Sequence, residues 1–172
     1  MGDPLFREHG KQVAALCWRP SQKHGSAIEV LLITSLNSKR WILPKGWPEP
    51  ELGPAENDAR EAFEEAGVLG LVGRRSLGSF RYKKRLKKGR VTVCIVHVFP
   101  LNVARQRLQW PEKNQREIKW VSVKEAAEAV RNVRLSEIIR RWAQMTAAPK
   151  RRAPLAAATK SSIWRSQRRR RS

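Results

Sequence analysis

The stretch "GWPEPELGPAENDAREAFEEAGV", Gly46 to Val68, decides the fold. Its first half is dense in Pro and Gly, and residues 44–54 read as a loop. Its second half reads as a helix. Pro54 suits a first helical turn, the helix runs to Ala66, and Gly67 is the stop. With 3.6 residues per turn, Ala55, Ala59, Ala62, Phe63 and Ala66 share one arc, mostly small, that can lie close against a sheet. Asp58, Glu61, Glu64 and Glu65 gather on the other arc, with Arg60 beside them. The expectation is a carboxylate cluster facing away from the packing side.

Such a cluster is unfavourable alone. Two carboxylates ~6 Å apart repel by roughly 0.7 kcal/mol in water and about 3 kcal/mol at an effective dielectric near 20. A divalent cation reverses the sign. Mg²⁺ and Mn²⁺ prefer oxygen ligands, which Glu61, Glu64 and Glu65 supply at i, i+3 and i+4. Charge runs usually mean only a solvated face, but three neighbours argue for more. The helix follows a loop with Lys45-Gly46-Trp47-Pro48, it ends sharply at Gly67, and "RYKKRLKKGR" (81–90) adds seven Lys and Arg. Acid and base side by side suit a cation bridging helix and phosphate.

The wider composition fits that reading. The 172 residues are 41% apolar with seven Trp, enough for one domain with one core. The formal net charge is +21; nine of the 36 basic residues and none of the 15 acidic ones lie beyond Ala147. Residues 1–147 therefore read as a basic folded domain, and 148–172, rich in Ala, Pro, Ser and Arg, as a disordered basic tail. Such a charge suits a polyanion: nucleic acid, a polyphosphate or an acidic membrane face. No run approaches the ~20 apolar residues of a membrane span. "MGDPLFREHG" lacks a basic-then-apolar signal, and Cys17 and Cys94 sit in apolar runs without metal-ligand spacing. Buried thiols in a reducing cytoplasm are expected. The oligomeric state is left open.

Strands are expected at 11–19, 27–36, 40–43, 76–86, 90–101 and 117–123, and helices at 124–130 and 135–145. The first two strands can form a hairpin across "SQKHGS", and "KKG" (87–89) joins the fourth and fifth. The order lacks regular βαβ alternation, so the class is α/β in the α+β sense, not a doubly wound parallel sheet.

Gly46 to Val68 resembles the Nudix box, Gly-x5-Glu-x7-Arg-Glu-U-x-Glu-Glu-x-Gly-U with U aliphatic. Gly46, Arg60, Glu61, Glu64, Glu65, Gly67 and Val68 match in register, and Ala62 is a small first aliphatic. Leu52 stands where the pattern has its early Glu. "LPKGWPE" (43–49), "GSFRYKK" (78–84), "VTVCIVHVFPL" (91–101) and "WPEKNQREIKWVSVKEAA" (110–127) are similar to bacterial relatives of diphosphoinositol polyphosphate phosphohydrolases, which share ground with enzymes that cleave dinucleoside polyphosphates. The resemblance implies a Nudix-type α/β/α sandwich with a mixed sheet over roughly 8–146.

It further implies a metal-dependent hydrolase of phosphoanhydrides, with water attacking phosphorus. Glu64 and Glu65 would be direct metal ligands, Glu61 a further ligand or a helper in deprotonating the nucleophile, and the Gly46 carbonyl would complete the set. Arg60 would hold Glu61. The general base stays open, with Glu112 and Glu117 as candidates outside the box. Lys45, Arg81 and Lys83 are the favoured substrate-binding cations; a basic edge strand that resists aggregation is the plainer account of the last two. The competing class is a nucleic-acid or polyanion-binding module on the same scaffold, tethered through the Arg tail. A mere binder of polyanions has no use for a repelling carboxylate cluster.

Overall fold

The computed structural model describes residues 10–22, 27–86 and 89–147. In chain order they form β1 (Gly10–Pro20), β2 (Ile28–Thr34), β3 (Trp41–Ile42), β4 (Lys45–Gly46), α1 (Pro54–Ala66), β5 (Val68–Val72), β6 (Gly78–Arg85), β7 (Val91–Gln106), β8 (Ile118–Ser122), α2 (Val123–Ala129) and α3 (Val133–Ala147). The tail, residues 23–26 of the first turn, and Lys87 and Lys88 of the "KKG" turn lie outside the described residues.

All eight strands join one mixed sheet. Its main path is β3-β2-β1-β7-β5, with β4 on β1, β6 on β7 and β8 on β2. β1 and β2 pair antiparallel, as the hairpin expectation has it, while β1 and β7 run parallel, Gly10 opposite Cys94 through Trp18 opposite Asn102. Successive side chains of a strand point to opposite faces, so the apolar runs of β1 and β2 fill two cores. Ala14, Leu16, Val30 and Leu32 pack with Val130, Leu135, Ile139 and Trp142 from the α2–α3 region. Ala15, Cys17, Leu31 and Ile33 pack with Ala62 and Ala66 of α1. The result is the α/β/α sandwich, with α1 alone on its face.

Two short strands escape the sequence reading. β4 lies inside the expected loop: Lys45 and Gly46 pair with Ala14 and Val13. β5 carries Gly70 in its middle, which weakens a strand signal. The ladder with β7 shifts register there, and a Cβ on Gly70 would stand 2.0 Å from the Asn102 carbonyl oxygen. β7 also continues past Leu101 to Gln106, giving β5 its partner.

Candidate active site

The helix α1 is placed by its ends. Pro54 occupies the first turn, and the Gly53 N–H donates to Glu56 Oε2 (2.9 Å). Gly67, at φ 69°, closes the helix with its N–H on the Phe63 carbonyl (2.8 Å). The left-handed conformation favours glycine, and space demands it too: a Cβ would lie 2.5 Å from the Trp110 ring.

The buried arc of α1 differs from the expected one. It holds Asn57, Asp58, Glu61, Ala62, Glu65 and Ala66. The carboxylates of Asp58, Glu61 and Glu65 thus turn toward the sheet, and only Glu64 and Arg60 stay partly outside. The wheel located the small residues that allow close approach. It could not show that β4 and Arg116 supply polar partners, which rotate the contact toward the acids. Asn57 is one beneficiary. Its Oδ1 accepts from the Glu49 N–H (2.7 Å), and its Nδ2 reaches the carbonyls of Glu49, Leu52 and Gly53. One side chain thereby fixes the loop entering the helix, including Leu52.

Glu61 abuts Gly46. A Cβ at Gly46 would fall 2.1 Å from the Glu61 carboxylate, so the backbone of β4 and this carboxylate share one small space. Arg60 bridges the loop and the helix. Its Nη2 donates to Glu61 Oε1 (2.8 Å) and to the Trp47 carbonyl (3.1 Å), while Nη1 meets Glu49 Oε1 at 2.8 Å and Glu64 Oε1 at 3.6 Å. The Glu61 carboxyl is pushed up by burial, against the pull of Arg60, and Glu64 and Glu112 add to the rise.

Glu65, only 6% exposed, is tied on both oxygens. Oε2 accepts from the Lys45 N–H at 2.8 Å and Oε1 is paired with Arg116 Nη2. Burial lifts its carboxyl to about 7 in spite of Arg116. Arg116, half-buried as a residue but with its side chain only 7% exposed, also donates through Nε to Glu112 Oε2 (2.6 Å) and through Nη1 to the Thr34 carbonyl (3.0 Å). Sequence reasoning missed Arg116; an Arg four residues after Glu112 was the available signal. Of the two candidate bases, Glu112 shares Arg116 with Glu65 and donates its N–H to the Glu64 carbonyl, whereas Glu117 is exposed and spends its N–H on Thr34 Oγ1.

The basic residues divide between sheet faces. The Lys45 ammonium donates to the Tyr82 hydroxyl (3.1 Å), which donates to Gln12 Oε1 (2.7 Å), and burial holds the Lys45 pKa down. Lys84, two residues from Tyr82, lies 4.8 Å over the Trp47 ring. Arg81 and Lys83 alternate with these along β6, paired with Ile95 and Val93, and are exposed. Lys45 therefore joins Tyr82, not Arg81 and Lys83 as the sequence reading favours; the pleat separates them.

Gly46, Arg60, Glu61, Glu64 and Glu65 are thus brought together. The donor set is hard oxygen, and burial raises the carboxyls of Glu61 and Glu65 in spite of Arg60 and Arg116; by chemistry the oxygens fit Mg²⁺ or Mn²⁺. With Arg60 and Arg116 on the carboxylates, no three metal-ligating side chains among the described residues converge on one point.

Comparison with known proteins agrees with the geometry. The NUDIX domain model matches residues 10–142. "Nudix hydrolase 21, chloroplastic" of Arabidopsis thaliana is 38% identical over 128 residues, covering 74% of this chain and 63% of that protein. "Diphosphoinositol polyphosphate phosphohydrolase 2" of Rattus norvegicus is 42% identical over 87 residues, 50% of this chain and 46% of that one. The chain spans about half to just under two thirds of the length of the curated relatives it matches. Among solved structures, a C. elegans Ap4A hydrolase superposes with a TM-score of 0.59 at 18% identity, covering 81% of this chain and all of that one, which shows a shared fold.

Proposed function

Because the chain belongs to the Nudix family, we propose that it is a metal-dependent pyrophosphohydrolase. Its substrate is a highly anionic phosphoanhydride, a diphosphoinositol polyphosphate or a dinucleoside polyphosphate, cleaved by water attack on phosphorus. The observation that carries this reading is the burial of Glu61 against Gly46 and of Glu65 on the Lys45 N–H, at a cost that a structural role does not require.

Glu61, Glu64 and Glu65, with the Gly46 carbonyl, would hold the cation, Mg²⁺ or Mn²⁺. The bound cation would acidify a water and neutralise charge on the transferring phosphoryl group. Arg60 keeps Glu61 and Glu64 aligned with the loop through Glu49 and the Trp47 carbonyl. Arg81 and Lys83, exposed on β6, would attract the substrate phosphates, and Lys45, whose ammonium donates to Tyr82, would add positive charge near Glu65. The hydrolytic unit is assigned to 1–147 and the basic tail to 148–172, where contact with nucleic acid would be an accessory. A cytoplasmic setting is supported by two buried cysteines without a disulfide; no helix among the described residues is long and apolar enough to cross a membrane.

The test is phosphate release from a diphosphoinositol polyphosphate and from diadenosine polyphosphates, with and without Mg²⁺, beside Glu64→Gln. Release that needs both metal and Glu64 is expected. Release indifferent to both, or none from any compound, would sink the reading and favour the polyanion-binding module.

A further inference from the structure

We infer that the cleft between the β2–β3 turn and the end of α2 is a second anion site. It takes a nucleoside phosphate, with the phosphates on Lys39, Arg40 and Arg131 and the base against Trp41. The cleft is separate from the α1 glutamates. Ile42 packs into the core under α1, whereas Trp41, its neighbour in β3, packs against the α2–α3 core on the other face of the sheet. The cleft measures about 450 Å³, room for a nucleotide-sized ligand, and is lined by Ser38, Lys39, Arg40, Trp41, Ala129 and Arg131.

Charge, backbone and an aromatic ring all point to that ligand. Lys39, Arg40 and Arg131 are exposed, and no carboxylate lines the cleft. Among the described residues none of the three is in an ion pair, whereas Arg19, Arg60, Arg116 and Arg134 each hold a carboxylate. Like charges around one cleft repel until an anion joins them. The turn that carries two of them is tightly built. The Ser35 N–H donates to the Arg40 carbonyl (2.9 Å), the Arg40 N–H donates to Ser35 Oγ (3.1 Å), and the Ser35 and Ser38 hydroxyls share a hydrogen bond at 2.7 Å. Lys39 has φ 50°, the one positive φ outside glycine among the described residues. Glycine or asparagine takes that conformation at less cost, so what lysine adds there is its ammonium. That ammonium spends one of its three donors on the Gln115 carbonyl (3.2 Å). Trp41 is half-buried, so the core fixes its ring while the rest of it lines the cleft. The Lys119 ammonium, 4.1 Å from the ring centroid, brings a fourth cation. An aromatic ring among unpaired cations is the arrangement that stacks a base and holds its phosphates.

The experiment follows binding of fluorescently labelled ADP to the full chain by anisotropy, at fixed salt and in EDTA, so that the substrate site lacks its cation. It compares wild type, Arg40→Gln/Arg131→Gln, Trp41→Leu and the control pair Arg140→Gln/Arg141→Gln. The control removes the same charge from exposed positions of α3. Unlabelled inorganic pyrophosphate and hexa-adenylate RNA compete with the labelled ADP. Circular dichroism checks the fold, and Trp41→Met serves if Trp41→Leu does not fold. Phosphate release in Mg²⁺ is measured beside wild type for the Arg40→Gln/Arg131→Gln protein.

Arg40→Gln/Arg131→Gln is expected to weaken ADP and pyrophosphate alike by about 10-fold or more, and the control pair by about twofold or less. Trp41→Leu should weaken ADP by about 5-fold or more and leave pyrophosphate unchanged. Phosphate release should stay within about twofold of wild type, because the two sites lie on opposite faces of the sheet. Hexa-adenylate that competes at least about 10-fold better than ADP through the same residues marks an RNA strand as the source of the nucleoside phosphate, and weaker competition marks the free nucleotide. Equal losses in the two arginine pairs, or no loss in either, would overturn the site. Equal losses of ADP and pyrophosphate in Trp41→Leu would remove the base from it. A matching fall in phosphate release would merge the cleft with the substrate site and end its separateness. None of these failures touches the hydrolytic reading, which stands or falls on Glu64 and the metal.

Discussion

Asp58 sits at 0% exposure with neither carboxyl oxygen hydrogen-bonded, on the same inward arc as Glu61. Burial, with a further contribution from the Glu61 charge, pushes it from an ordinary 3.8 up to about 8. The folded protein therefore holds Asp58 as a neutral acid at neutral pH. The proton's contribution to stability is fully present below the unfolded pKa of about 4 and is lost as the pH rises through about 8. At about 1.36 kcal/mol per pKa unit the whole effect is about 6 kcal/mol as an upper limit, and about 4 kcal/mol of it falls between pH 5 and pH 9. Asp58→Asn removes the titration. Urea unfolding followed by Trp fluorescence, in EDTA, across that range should show wild-type stability falling with pH by up to about 4 kcal/mol more than the variant's. Glu61 and Glu65, also raised, are present in both proteins and largely cancel. The absolute stability of the variant at pH 5 is not the readout, because a buried amide without partners carries its own cost. Parallel pH profiles for the two proteins would refute the reasoning and mean that Asp58 is already ionised and solvated in the folded state.

Gly46→Ala should cost activity out of proportion to stability, because the added methyl occupies the space of the Glu61 carboxylate; a loss of kcat/KM of about 100-fold or more is expected, and wild-type kinetics would refute it. Gly67→Ala should destabilise by at least about 1 kcal/mol from its left-handed backbone alone, with more from the displaced Trp110, read as a lowered melting temperature. Asn57→Ala removes the contacts that fix residues 49–53 and should destabilise by about 2–4 kcal/mol in urea unfolding, whereas a change under about 0.5 kcal/mol would show that the loop holds itself.

Much of the fold is legible in the sequence. The unbroken apolar runs in β1 and β2 suit strands buried on both faces, and the Pro54 start and Gly67 stop delimit α1 to the residue. What stays hidden is hidden for physical reasons. β4 is two residues long, so pairing with β1 defines it, and no local pattern can. The inward turn of Asp58, Glu61 and Glu65 depends on partners far along the chain: the Lys45 N–H and the Arg116 side chain, neither of which a helical wheel contains. Arg116 itself lies among "WPEKNQREIKW", where charge alone suggests a solvated loop. The pleat of β6 was foreseeable in principle, but which of its faces meets Lys45 depends on the Tyr82 hydroxyl.

The segment from Arg107 to Glu112 is stapled to the end of α1 three times. The Arg107 N–H donates to the Gly67 carbonyl at 2.8 Å, the Glu112 N–H to the Glu64 carbonyl, and the Trp110 ring covers the face of Gly67 that a side chain would fill. Helix end and loop therefore open as one cooperative unit. In hydrogen exchange, the Arg107 and Glu112 amides should lose protection together with the last turn of α1 and not with their own loop neighbours. The glycine that stops the helix is then also the hinge pin that decides whether the far carboxylates can leave their places.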